Sequence, residues 1–121
     1  MSTALDIALA YHTAWTTHDA AVRSWLADDV VFDAPAGRLD GPDALLGFMA
    51  PFAATLTGVS MIAALGTDDE ALLMYDCATA AVPSAPAAEW YRVADGRVVA
   101  GRIIFDRLPF ALARGEVSRA G

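Results

Sequence analysis

The chain has 121 residues, 56% of them hydrophobic, with 15 acidic against 8 basic side chains and a net charge of -7. That length is enough for one domain with its own core, and the acidic balance argues against a nucleic-acid partner. One cysteine excludes an internal disulfide and fits a reducing cytoplasm, the expected location.

From the N-terminus, Met1-Ser2-Thr3-Ala4-Leu5-Asp6 lacks the basic region of an export signal, so none is expected. Ala4 to His18 reads as a helix, with Leu5, Ala8, Tyr11, Trp15 and His18 three or four apart on one stripe. Asp19 can cap a second short helix ending near Leu26. Val30-Val31-Phe32-Asp33 reads as a strand, and the segment from Pro35 to Pro42 as a loop. Pro42 suits the first turn of a third helix, from about Asp43 to about Leu56, in which Pro51 predicts a kink or break near Ala50. Strands follow at Val59 to Leu65 and Ala71 to Val82, with turns at Gly66-Asp69 and Pro83-Pro86. The tail beyond Pro109 is expected to fray. No stretch of about 18 residues is free of charge, so no transmembrane helix is expected. This order gives an α+β fold with helices on one face of an antiparallel sheet. A mean hydropathy of +0.41 without a membrane segment points to an apolar cavity and an oligomer interface.

The last two strands flank Ala94-Asp95-Gly96, a hairpin signal. Two turns fit. A two-residue Asp95-Gly96 turn pairs Glu89 with Arg102, a cross-strand ion pair. A three-residue loop with a bulge at Gly96 pairs Glu89 with Gly101 and groups Glu89, Tyr91, Val99, Gly101, Ile103 and Phe105 on one face. The longer loop is favoured, because Ala94 suits the first strand end of the shorter turn poorly.

Glu89 is the sharpest functional candidate. On an apolar face its pKa rises, and a neutral carboxylic acid can donate to a substrate oxygen. The plain alternative is a surface ion pair with Arg92 or Arg102. Tyr11 could donate beside it, or be a core tyrosine. Asp76, in the middle of a long apolar strand, reads as paired or functional. A four-residue turn at 83–86 puts it on the face of Glu89, and a one-residue change in that turn swaps it for Tyr75. Asp33 is a base candidate only if its strand bulges before Pro35, and otherwise a rim charge. Trp15, Phe32, Phe48, Phe52, Met74, Tyr91, Ile103 and Phe105 are the expected pocket lining, with ordinary core as the alternative. His12 and His18, six apart, make a poor metal pair, and no phosphate loop, metal cluster or nucleophile elbow is present; no metal and no organic cofactor is implied.

Four motifs resemble the SnoaL-like branch of the nuclear-transport-factor-2-like superfamily. They are Tyr11 to Asp19, Leu26 to Phe32, Pro35-Ala36-Gly37 with Gly41 opening a helix, and Asp95-Gly96-Arg97-Val98 leading to Phe105 through Phe110. The resemblance implies a cone of three N-terminal helices on a strongly bent mixed or antiparallel sheet that encloses a pocket, with residues 1–110 as the domain and 111–121 as a tail. Within that superfamily, the resemblance to ketosteroid isomerase places a phenol donor at Tyr11 and a protonated acid at Glu89, but its general base falls on Ala34. A likeness to limonene epoxide hydrolases fails at Ile103, where theirs is a carboxylate. The fold hosts isomerases, cyclases, hydrolases and pure binders. The implied functions are a cofactor-independent acid–base enzyme on an apolar oxygenated molecule, or a ligand-binding or scaffold domain without turnover. In the first, Glu89 and Tyr11 hold the oxygen and Asp76 or Asp33 moves the proton. The expected partners are a small-molecule ligand and a second copy, joined through the outer sheet face with Trp90, Ile104 and the arginines. Neither nucleic acid nor membrane is an expected partner.

Overall fold

A computed structural model describes residues 3–118. Helix α1 (Ala4–Thr16) begins with a capping box: Thr3 Oγ1 accepts from the Asp6 amide at 3.2 Å, and the Asp6 carboxylate accepts from the Thr3 amide at 3.1 Å. Its sheet-facing side buries Ile7, Ala8, Tyr11, His12 and Trp15. The helix ends two residues before His18, which is exposed at φ 59°. Asp19 caps a short 3-10 helix (Ala20–Trp25), its carboxylate accepting from the Ala21 amide at 2.9 Å.

Strands β1 (Leu26–Ala34) and β2 (Gly37–Asp40) form a hairpin where only a loop was expected after Asp33. Helix α2 (Gly41–Ala53) follows, with Pro42 in its first turn. Pro51 does not end it; the helix runs on two residues to Ala53, short of the expected end near Leu56. Strands β3 (Leu56–Gly66), β4 (Glu70–Thr79), β5 (Ala85–Ala94) and β6 (Arg97–Phe105) come next, and helix α3 (Leu108–Arg114) closes the chain where fraying was expected. Its anchor is Phe110, whose ring lies 5.7 Å from Phe52 and 6.0 Å from Phe105.

The six strands form one bent sheet in the order β2-β1-β6-β5-β4-β3. All neighbours are antiparallel except β1 and β6, so the sheet is mixed. The core lies between its inner face and helices α1 and α2. No helix among the described residues is long and apolar enough to cross a membrane.

The hairpin takes neither expected register. The turn is the two-residue one, with Asp95 at φ 53° and Gly96 at φ 74°, the left-handed pair such a tight turn requires. A bulge then intervenes between Val93↔Val98 and Arg92↔Ala100, leaving Val99 as the extra residue. It moves Val98 rather than Val99 to the inside and sets Glu89 opposite Ile103. Glu89, Tyr91, Gly101 and Ile103 still share the inner face, and the arginines still point out.

Candidate functional site

Three strands build the inner wall in rows. Cys77 lies beside Ala85; Tyr75, Ala87 and Phe105 form the next row; Leu73, Glu89 and Ile103 the third; Ala71, Tyr91 and Gly101 the deepest. A cavity of about 250 Å³ occupies the upper rows. Cys77, Ala85, Tyr75, Ala87, Phe105 and Ile103 line it from the sheet. Phe48, Met49 and Phe52 close it from α2, Pro35 and Ala36 from the β1–β2 turn, and Arg107, Phe110 and Arg114 from the C-terminal segment.

Beneath this cavity lies a polar cluster sealed from solvent. Glu89 is fully buried, and its Oε2 accepts from the Tyr75 hydroxyl at 2.7 Å and the Tyr91 hydroxyl at 2.8 Å. Burial pushes its carboxyl from 4.5 up to about 7, with the two tyrosine bonds pulling the other way. Tyr75 therefore both lines the cavity and touches the acid below it. Burial first, and then the negative Glu89, drive the phenols of Tyr11, Tyr75 and Tyr91 well above their usual range, so all three stay neutral donors.

Helix α1 supplies the other side of the cluster. The His12 ring lies 4.6 Å from that of Tyr75, and desolvation lowers its pKa from 6.5 to about 4, so it is neutral near pH 7. Tyr11 meets Tyr91 edge-on at 6.0 Å. Among the described residues, four buried polar atoms have no hydrogen-bond partner: Tyr11 Oη, His12 Nδ1, Trp15 Nε1 and Glu89 Oε1. Buried groups of this kind are nearly always satisfied, and here they all belong to one cluster behind one cavity.

The remaining candidates fall elsewhere. Asp76 faces away from Glu89, because the observed register sets Leu73, not Ala80, opposite Glu89. Its Oδ1 accepts from the Ala85 amide at 2.8 Å and both its oxygens from Ser84 Oγ, so it secures the β4–β5 connection. The alternation that turns Asp76 out turns Tyr75 in. Asp33 is exposed, outside the main cavity, and pairs with Arg102 at 3.2 Å. Met74 lies on the outer face, 41% exposed. Tyr11, Trp15, Phe32 and Tyr91 are buried in the core behind the cavity rather than in its lining. Phe48, Phe52, Ile103 and Phe105 do line it.

Sequence reasoning passed over Cys77, Ala87 and the three residues of the C-terminal segment, and reached Tyr75 only as the alternative to Asp76. The available signal was the Tyr75/Cys77 alternation, which puts two residues able to sit in a core on one face and the carboxylate on the other. Cys77 is no nucleophile: burial, then nearby carboxylates, push its thiol up to about 12. Among the described residues no three His, Cys, Asp or Glu side chains converge as a metal site.

Comparison with known proteins agrees with this architecture. A family model described as a SnoaL-like domain matches residues 8–101. A crystallised protein from Kribbella flavida DSM 17836 is 50% identical, with 96% of this chain and 97% of that one covered and a TM-score of 0.92. More distant structures share the fold alone. AclR, a hydroxylase candidate from Streptomyces galilaeus, is 15% identical over 93% of this chain and 95% of its own, with a TM-score of 0.75. A SnoaL-like polyketide cyclase candidate from Jannaschia sp. CCS1 is 14% identical over 93% and 92%, with a TM-score of 0.76. No curated protein matches the chain. With the family model spanning most of the chain, this chain belongs to the SnoaL-like family, and it shares the fold of NTF2-like proteins.

Proposed function

We propose that this chain binds an apolar, oxygen-bearing small molecule in the cavity, with the ligand oxygen held by Tyr75 and Glu89 acting behind it. The observation that carries the reading is the 2.7 Å bond from the lining Tyr75 hydroxyl to a fully buried carboxyl. When Glu89 is ionised, the Tyr75 proton points to Glu89, and Tyr75 offers the ligand only its lone pairs. When Glu89 is protonated, it can donate to the Tyr75 oxygen, which frees the Tyr75 hydroxyl to donate to the ligand. A carboxyl held at about 7 moves between these states near neutral pH, the range suited to acid–base catalysis without a cofactor.

A second reading, a binder without turnover, has its own support. Among the described residues no Asp or Glu lines the cavity, which leaves the ligand without an adjoining carboxylate base. One measurement separates the two. With 2-cyclohexenone as probe in deuterated buffer, an enzyme of isomerase or cyclase type accelerates exchange of the protons next to the carbonyl, and Glu89→Gln removes the acceleration. Binding by NMR titration with exchange at the buffer rate leaves the binder. Absence of binding sinks both readings.

We also propose a homodimer through the outer sheet face. Leu65, Leu72 and Trp90 make one apolar row there, and Ala63, Met74, Ala88 and Ile104 the next. Leu72, Met74 and Ile104 are 46%, 41% and 60% exposed, a large contiguous apolar area for a lone domain. Met74→Glu is expected to convert a dimer to a monomer in sedimentation velocity. A wild-type monomer at high concentration would remove the proposal.

A further inference from the structure

The cavity's charge runs against that of the chain. Acidic residues outnumber basic ones 15 to 8, yet among the described residues the ionisable side chains of the lining apart from Tyr75 and Cys77 are Arg107 and Arg114. Both belong to the C-terminal segment, where Phe110 seals the apolar wall against Phe52 and Phe105. Both are exposed, so they stand at the opening while the hydrophobic lining lies below.

Their pairing differs. Arg23, Arg38, Arg92 and Arg102 are each held by a carboxylate elsewhere on the surface. Arg114 is held in a fork by Glu116, at 2.8 and 3.1 Å. Arg107 makes no salt bridge among the described residues; its neighbour Asp106 instead accepts from the Leu108 amide at 2.9 Å. Arg97 is also unpaired, but it lies at the hairpin tip, outside the lining. The opening thus holds one guanidinium forked by Glu116 and a second, Arg107, that makes no side-chain hydrogen bond among the described residues and acts on Glu116 only through its charge.

We infer that the apolar, oxygen-bearing ligand is also a monocarboxylate, its body in the cavity with that oxygen toward Tyr75 and its carboxylate at the mouth on Arg107, with Arg114 beside it. This rests on the proposed small-molecule function and names the ligand's chemical class. The orientation follows from the two ends. A carboxylate at the mouth keeps part of its hydration and gains a planar, forked donor matched to its geometry. A carboxylate pushed inward would lose that hydration in an apolar wall and approach Glu89. The volume suits a single-ring molecule: about 250 Å³ is roughly eight water-sized volumes at ~30 Å³ each.

The test uses three isosteres differing in charge: phenylacetate, phenylacetamide and 2-phenylethylamine, titrated by NMR against the full chain at neutral pH and low salt. The acid is expected to bind about fivefold tighter than the amide, the size of a partly exposed ion pair, and the amine weakest. Added salt should narrow the gap. Arg107→Gln should bring the acid-to-amide ratio to about one, Arg107→Lys should keep part of the preference, and Glu116→Gln should increase it by releasing Arg114. Acid and amide binding equally, or the amine binding tightest, would overturn the inference and leave the cavity's binding role standing. If none of the three binds, the small-molecule reading fails as well.

Discussion

With glutamine in place of Glu89, folding stability is expected to rise by about 3 kcal/mol between pH 4 and 6.5, where the native chain stays nearly level. Two buried groups produce the level profile by opposing each other. Glu89 has its carboxyl at 4.5 when unfolded and about 7 when folded. Between those values the folded state binds the extra proton. Its contribution is therefore full below 4.5 and lost as pH rises through 7, by about 3 kcal/mol at ~1.4 per pKa unit. His12 runs the other way. Its pKa falls from 6.5 to about 4 on folding, so the unfolded state binds the extra proton in that window. Its contribution is full above 6.5 and lost as pH falls through 4.

The windows overlap, and the slopes nearly cancel. Removing one titration exposes the other. Glu89→Gln keeps an acceptor oxygen for Tyr75 and Tyr91 and leaves the rising His12 slope; His12→Gln leaves the falling Glu89 slope. Urea denaturation at half-unit pH steps reads both. Identical slopes for Glu89→Gln and the native chain would mean that Glu89 titrates alike in both states and is not held in the dry environment described. The lower-pH form of Glu89 is also the one that, in the proposed function, frees Tyr75 to donate to a ligand, so under that proposal the stability profile and ligand binding would report the same proton.

The second large effect is expected at Gly101. A Cβ built there would lie 2.8 Å from the Trp90 carbonyl oxygen and closer still to the Phe32 ring. Real Cβ atoms do not approach that closely, and neither neighbour can yield freely. Trp90 O is backbone in the β5–β6 pairing, and Phe32 is fully buried. Gly101→Ala should cost about 3 kcal/mol, at the upper end for overpacking a core, and lower the melting temperature by roughly 10 °C. Phe32→Leu in the same chain should recover part of the loss, a coupling that a double-mutant cycle measures. Additive losses would show that Phe32 is not what the methyl group meets. The site depends on this glycine indirectly: Gly101 pairs with Tyr91, two residues from Glu89, and the Tyr91 hydroxyl holds the Glu89 oxygen.

The cone was largely legible before any coordinates. The Asp19 cap, the apolar stripe of α1, the presence of a hairpin at Ala94-Asp95-Gly96 and the alternation along β5 are local signals, and local sterics and hydrogen bonding set them; the favoured three-residue loop gave way to the two-residue turn. Glu89 was legible as a candidate, but the register that turned it inward was not the one adopted: the two-residue turn and the Val99 bulge together set it opposite Ile103. The β1–β2 hairpin was not, because Gly37-Arg38-Leu39-Asp40 is short and polar and becomes a strand only by pairing with β1.

What the sequence by itself determined was the family and most of the helices and strands, with Glu89 as the candidate acid. Tertiary structure alone decided which partner that acid has. The β4 segment from Ala71 to Thr79 can place either Tyr75 or Asp76 inside, since a shift of one residue inverts every side chain. The ends of β4 and β5 are set by the Asp76 bonds to Ser84 and Ala85, a contact across the turn that no periodicity encodes. The hairpin register likewise depended on a bulge at Val99, which lets Val98 and Gly101 both face the core. The first adjustment sets Tyr75 rather than a second carboxylate between Glu89 and the cavity, and the second sets Glu89 opposite Ile103.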